Sequence, residues 1–223
     1  MNDWTPLWLS LRVAGVALLF VGPLGALVGY LQSRARYRLA PLVDAALLLP
    51  LVLPPSVTGY YLLVLLGRHG VLGAPLHDWL GVTLVFSFPG AVLAASVVAF
   101  PLMAKTAQAA FAGVDAELEE VAYTLGLSRV ETFLRVTLPQ AQSGLVAAAS
   151  LAFARAIGEF GATLLFAGAI PGRTATASLE IFASLQSGDD ARAGALTAAL
   201  TGASLLVVLA ASRFARDPRT GAA

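Results

Sequence analysis

Five apolar runs, each near the ~20 residues that a bilayer core requires, leave this chain few possible folds. They are roughly Trp8–Leu31, Ala40–Leu66, Leu80–Ala104, Gln140–Gly168 and Ala193–Ser212. Runs of this length read as transmembrane helices. The expected fold class is therefore all-α, a polytopic membrane protein with about five transmembrane helices. Residues 1–223 are expected to form one membrane domain. Hydrophobic residues make up 58% of the chain and the formal net charge is +1, which excludes a disordered tail and gives no basic excess for nucleic acid. Cysteine is absent, so neither a disulfide framework nor a thiolate metal site is available. His69 and His77 share one loop without further ligands and read as solvated, so no metal is expected. The N-terminus carries Asp3 and Trp4 in place of a basic stretch, so no cleavable signal is expected.

One polar interruption is longer than the others. Lys105–Pro139 holds five of the thirteen acidic residues, which marks it as a docking surface for a soluble partner. Within it, Asp115 can cap a short helix whose first turns carry Glu117, Glu119 and Glu120, the sign a helix N-terminus favours. Gly126 offers a position open to left-handed backbone, and Ser128 with Glu131 forms a capping box that starts a second short helix. Pro139 is expected at the start of the next span, where its missing donor costs nothing. A helix–turn–helix at the membrane surface follows.

The Lys/Arg balance sets the orientation. Arg34, Arg36, Arg38, Lys105, Arg129, Arg135, Arg213, Arg216 and Arg219 fall on one side, against Arg12, Arg68, Arg173 and Arg192 on the other. The long loop and the C-terminus are thus expected in the cytoplasm and the N-terminus outside. Trp4, Trp8 and Trp79 would then lie at the outer interface as an aromatic belt. The chain cannot hydrolyse ATP by itself. Its only lysine, Lys105, follows Phe100-Pro101-Leu102-Met103-Ala104, with no glycine-rich phosphate loop.

The loop spacing carries a resemblance. Glu120-Val121-Ala122, three residues, Gly126, nine residues, Val136, one residue, then Leu138-Pro139 resembles the signature of permease subunits of ATP-binding-cassette importers. The family pattern begins Glu-Ala-Ala, so Val121 is the one departure. The resemblance implies that Glu120, Val121, Ala122, Gly126, Val136, Leu138 and Pro139 form the element that couples to an ATPase subunit.

Two spans contain features that an anchor does not need. In Leu49–Leu63, Pro50, Pro54 and Pro55 break one helix-length run, and Ser56, Thr58 and Gly59 follow. Internal prolines free carbonyls, which is tolerable at membrane depth only in protein or against a wet cavity. Either a transport pathway or a packing kink explains them. In the fourth run Arg155 and Glu159 stand four apart, expected on one helix face and able to pair. Intramembrane charge is expensive, so either a pathway role or a locking ion pair follows. Gly158 and Gly161, like Gly25 and Gly29, are expected to permit close helix approach. In the segment Gly168–Arg192, Ser178 is expected to cap a short amphipathic helix, which would contact a delivery protein or simply connect two spans.

From about Trp8 to Arg213 the blocks LPLVLPPSVTGYYLL, GVDAELEEVAYTLG and FARAIGEFGATLLFAG are similar to permease subunits of bacterial molybdate importers. That resemblance implies a type I importer permease fold in the inner membrane, surrounded by membrane lipid. It also implies a homodimer that binds two cytoplasmic ATP-binding subunits and a periplasmic molybdate-binding protein, with no nucleic acid. ATP and Mg would be bound by the partner subunit, and this chain would need no cofactor and no catalytic residue. Pro54, Pro55, Ser56, Thr58, Arg155 and Glu159 are the candidate substrate pathway. Tungstate or sulfate transport are alternatives, and so is an ion-coupled secondary transporter with Glu159 and Asp44 as relays. No inverted hydropathy symmetry supports the last.

Overall fold

The computed structural model describes residues 4–35 and 38–215. Among them every regular element is helical, in the order α1 Thr5–Ser33, α2 Ala40–Val52, α3 Pro55–Leu66, α4 Gly73–Leu80, α5 Phe88–Ala112, α6 Ala116–Thr124, α7 Arg129–Thr132, a π-turn Phe133–Thr137, α8 Leu138–Ile157, α9 Gly161–Phe166, α10 Ala177–Ser187 and α11 Asp190–Ala215. Three helices, α1, α5 and residues 190–210 of α11, are long and apolar enough to cross a membrane, and the bent pair α2–α3 makes a fourth. The fourth apolar run, α8, is more polar, with Gln140, Gln142, Ser143 and Arg155. It packs among α1, α5 and α11.

α5 is the centre of the bundle. Ala91, Ala95, Ala99 and Ala107 meet Ala14 and Ala17 of α1 and Ala141, Ala148 and Ala152 of α8 in one buried cluster. Small side chains are what bring helices close where lipid supplies no hydrophobic drive between them. A Cβ on Gly29 would sit 2.7 Å from the Ala104 carbonyl oxygen, and one on Gly25 would sit 2.5 Å from Met103 Cγ. Arg12 lies over Phe88 at the opposite end of the same pair, so α1 and α5 run parallel. α8 returns antiparallel, with Gly144 against Ala110.

The structure moves several expected boundaries. The third span begins at Phe88, not Leu80, and runs through Lys105 to Ala112. Gly81, at φ 65, ends α4, and Ser87 starts α5 by accepting from the Gly90 N–H at 3.2 Å. A hydropathy window registers neither break. Lys105 lies within this helix, where its Nζ reaches Asp44 Oδ2 of α2 at 3.0 Å and Gln108 Oε1 at 2.6 Å. Ser178 does not cap α10. Thr176 is the residue before that helix, and the hydroxyl of Ser10 on α1 accepts from the Ala177 N–H at 2.8 Å. Pro139 sits in the first turn of α8, as expected, but that span does not start from a loop. The chain is helical from Arg129 to Ile157, and the Leu138 N–H reaches back to the Phe133 carbonyl in the π-turn just before the proline.

Candidate functional site

Two places in this fold are built for more than packing. The first is the helical turn between α5 and α8. Asp115 accepts from the Glu117 N–H at 2.9 Å, and the reciprocal Ser128–Glu131 box starts α7. Gly126 between them takes φ +87, a conformation that residues with a Cβ rarely adopt. These local features match the sequence reading residue for residue.

The acidic cluster divides in two. Glu120 is exposed, together with Leu118, Val121, Leu125 and Val130. Ala122 faces inward, Val136 and Leu138 are half-buried, and Pro139 is exposed. Such an apolar patch beside a carboxylate is what a partner groove would cover. Glu119 points the other way. It is buried, forms an ion pair with Arg34 just beyond the end of α1, and accepts from the Thr137 hydroxyl in the π-turn. The Arg34 guanidinium lies 5.7 Å from the centre of the Tyr30 ring, and Tyr30 meets both Phe111 and Phe133 edge-on. Glu119 therefore ties the surface helix both to the end of α1 and to the π-turn that leads into α8.

Sequence reasoning did not single out Arg34 or Thr137, which lie 85 and 18 residues from Glu119. Helical spacing held one clue, since Glu119 and Ala122 fall three apart on the face opposite the exposed Val121.

The second place is a pair of helix breaks that meet at one level. Leu53 and Pro54 each precede a proline, which disfavours helical ψ; both are extended, at ψ 144 and 137. α2 and α3 consequently meet at 107°. α8 breaks at Gly158–Phe160, and α9 starts beside α3, where a Cβ on Gly161 would lie 2.9 Å from Pro55 Cβ. Gly59 lies against Ala162 in the same way. Gly158 has no such neighbour; it ends a helix.

The break also changes the reading of the charged pair. Arg155 Nη2 is 2.8 Å from Glu159 Oε2, but Glu159 lies beyond the end of α8 and not on its face. Its Oε1 accepts from the Ala162 N–H at 2.8 Å and so starts α9. The guanidinium meets Oε2 off the hydrogen-bond direction, which makes that contact electrostatic. Pro54, Pro55 and Ser56 are exposed at the bend. Thr58 is buried, and its hydroxyl has no partner among the described residues.

Residues 22–221 match the family described as "Binding-protein-dependent transport system inner membrane component". The chain is 43% identical over 219 residues to the molybdenum transport system permease protein ModB of Escherichia coli (strain K12), covering 96% of each. It is 34% identical over 211 residues to the sulfate transport system permease protein CysT of Salmonella typhimurium, covering 93% of this chain and 76% of that one. Its fold is similar to a solved bacterial ABC transporter involved in alginate import, with a TM-score of 0.78 at 17% identity over 97% of this chain and 80% of that chain.

Proposed function

Because the chain belongs to the binding-protein-dependent transport system inner membrane component family, we propose that it is the permease of an importer that carries molybdate into the cytoplasm. The observation that carries this reading is the turn element, which exposes Glu120, Val121 and Gly126 while Glu119 anchors it to the end of α1 and the π-turn. In this reading Glu120, Val121, Ala122, Gly126, Val136, Leu138 and Pro139 form the joint with a cytoplasmic ATPase. That subunit binds ATP and Mg, and this chain binds neither. Two copies of the permease, two ATPases and a periplasmic binding protein make up the transporter. The N-terminus lies outside and the α6 turn and C-terminus inside, as the Lys/Arg distribution directs. The greater identity with a molybdenum permease than with a sulfate permease favours molybdate, with tungstate its near-isosteric competitor.

Closure of the ATPases pushes α6, and the Glu119 contacts pass that displacement to α1 and to the π-turn at the root of α8. The paired breaks at Pro54–Pro55 and Gly158–Phe160 are where the spans give way. Pro54, Pro55, Ser56, Arg155 and Glu159 border the anion path. Thr58 joins it only when α3 and α9 part. A tetrahedral dianion in transit needs donors such as hydroxyls and Arg155, and a tight cage would prevent its release.

The test is reconstitution with the ATPase and binding-protein partners, followed by oxyanion uptake and ATPase rate. Molybdate-stimulated ATPase with uptake is expected; sulfate uptake without molybdate uptake would overturn the substrate assignment. Cysteine at Ser56 should react with a small charged thiol reagent in a nucleotide-dependent way. Cysteine at Thr58 should react only in states that separate α3 from α9. Inert cysteines at both positions in every state would place the path elsewhere.

A further inference from the structure

At the end of the bundle opposite the α6 turn, Arg12 of α1 and Arg173 of the segment before α10 face one cleft of about 300 Å³, with Ser87 and Gly172 beside them. Among the described residues neither guanidinium has a carboxylate partner. Arg12 is instead held over the Phe88 ring, 6.0 Å from its centre. It stands one helical turn from Trp8, on the same face, and Trp8 is 62% exposed as an interfacial tryptophan would be.

Phe88 and Pro89 form the floor of this cleft and also the upper wall of a second cavity. The second cavity measures about 750 Å³ and runs down the seam of α1 and α5, past Val16, Phe20 and Leu24 on one side and Val92 and Phe100 on the other, to Pro50 of α2. Its lining is almost wholly apolar. Phe20 and Leu24 stay more than half exposed, so the groove opens sideways. From Arg12 to Leu24 the helix rises about 18 Å, close to the ~15 Å of one hydrocarbon leaflet.

A cationic head at interface depth, continuous with an apolar channel one leaflet long, matches one kind of molecule. We propose that this paired cleft and groove binds a phospholipid with an anionic headgroup. Its phosphate lies between Arg12 and Arg173, and one acyl chain runs down the α1–α5 seam. A second copy of the chain would satisfy the groove but leave two guanidiniums uncompensated. A soluble oxyanion would satisfy the arginines but leave the groove empty. Only a lipid satisfies both ends. The proposal needs the chain to span a membrane and is independent of which anion it carries.

The experiment is native mass spectrometry of the full-length permease, exchanged into mild detergent with equal phosphatidylglycerol and phosphatidylcholine. One retained phosphatidylglycerol per copy is expected. An arginine at an anionic lipid surface contributes enough that Arg12→Ala or Arg173→Ala should weaken phosphatidylglycerol binding roughly fivefold, and the pair roughly thirtyfold. Ser96→Leu, which fills the groove from α5, should lower lipid retention and leave the oligomeric mass unchanged. The arginine variants are surface changes, so they test the site even where Ser96→Leu fails to fold. Equal retention of the two lipids, unaltered by the arginine substitutions, overturns the proposal. Loss of dimer mass in place of lipid by Ser96→Leu shows a copy interface and also overturns it. Displacement of the lipid by added molybdate assigns the arginines to a soluble anion, with the same consequence.

Discussion

Arg34 and Glu119 form an ion pair whose two halves are unequally wet, so their removal should have unequal consequences. The Arg34 side chain is 37% exposed and that of Glu119 only 11%. In Glu119→Gln the amide oxygen still accepts from Thr137, and the released guanidinium turns to water. The loss is that of a partly exposed charge contact, about 1 kcal/mol. Arg34→Ala leaves a carboxylate held by the Thr137 hydroxyl alone, and it removes the guanidinium from the Tyr30 face. Breaking a fully buried pair costs about 3–5 kcal/mol; discounting for the exposed half gives about 2–3 kcal/mol, cation–π loss included. For a chain of this size that corresponds to a fall in Tm of roughly 5–10 °C for Arg34→Ala and roughly 2–4 °C for Glu119→Gln. The double variant should be milder than Arg34→Ala, because it leaves no uncompensated charge. Thermal unfolding of the purified permease, followed by tryptophan fluorescence, measures all three. In the reconstituted transporter, uptake per ATP hydrolysed should fall further than folded yield, since the contact links α6 to α1. Equal losses in the two single variants, or a double variant worse than Arg34→Ala, would refute the assignment of a buried, charge-matched latch.

Gly126→Leu should keep the chain folded yet abolish uptake, because φ +87 costs a Cβ residue about 1–3 kcal/mol locally; Gly126→Asn should be milder, and normal uptake by the leucine variant would sink the docking role. Gly29→Ala should destabilise by about 1–3 kcal/mol through backbone contact with α5, whereas Gly22→Ala, with open space at its Cβ, should be neutral or slightly stabilising in the same melt. Glu131 accepts from the backbone N–H and then the hydroxyl of Ser128, with Arg135 nearby, so its carboxyl titrates below the ordinary glutamate range. Its cap is therefore at full strength above that range and is lost only as pH falls through the lowered midpoint; a carboxylate titration by NMR showing an ordinary or raised midpoint would contradict this. Arg155→Ala should be worse than Arg155→Ala with Glu159→Ala if the pair is only structural, whereas an inactive but well-expressed double variant would put Arg155 on the anion path.

Helical membrane class, the Gly126 turn and both caps of the α6–α7 element could be derived from the chain alone. Each depends on interactions within a few residues or on the length of an apolar run, and both quantities are written directly in the sequence. The Pro54–Pro55 bend was legible for the same reason, because two consecutive prolines disfavour helical backbone at two successive residues before them. Three-dimensional packing decided the rest. Two adjacent glutamates look alike in sequence, yet Glu119 is buried against Arg34 and Thr137 while Glu120 is exposed. Lys105, within α5, meets Asp44 of another helix, and both side chains are only partly buried. Arg155 and Glu159 pair across a helix end, and α10 is capped from α1 by Ser10, 167 residues away. A buried charge or an unpaired helix terminus is tolerable only where a partner meets it, and which partner arrives depends on how the spans pack, not on the residues next in line.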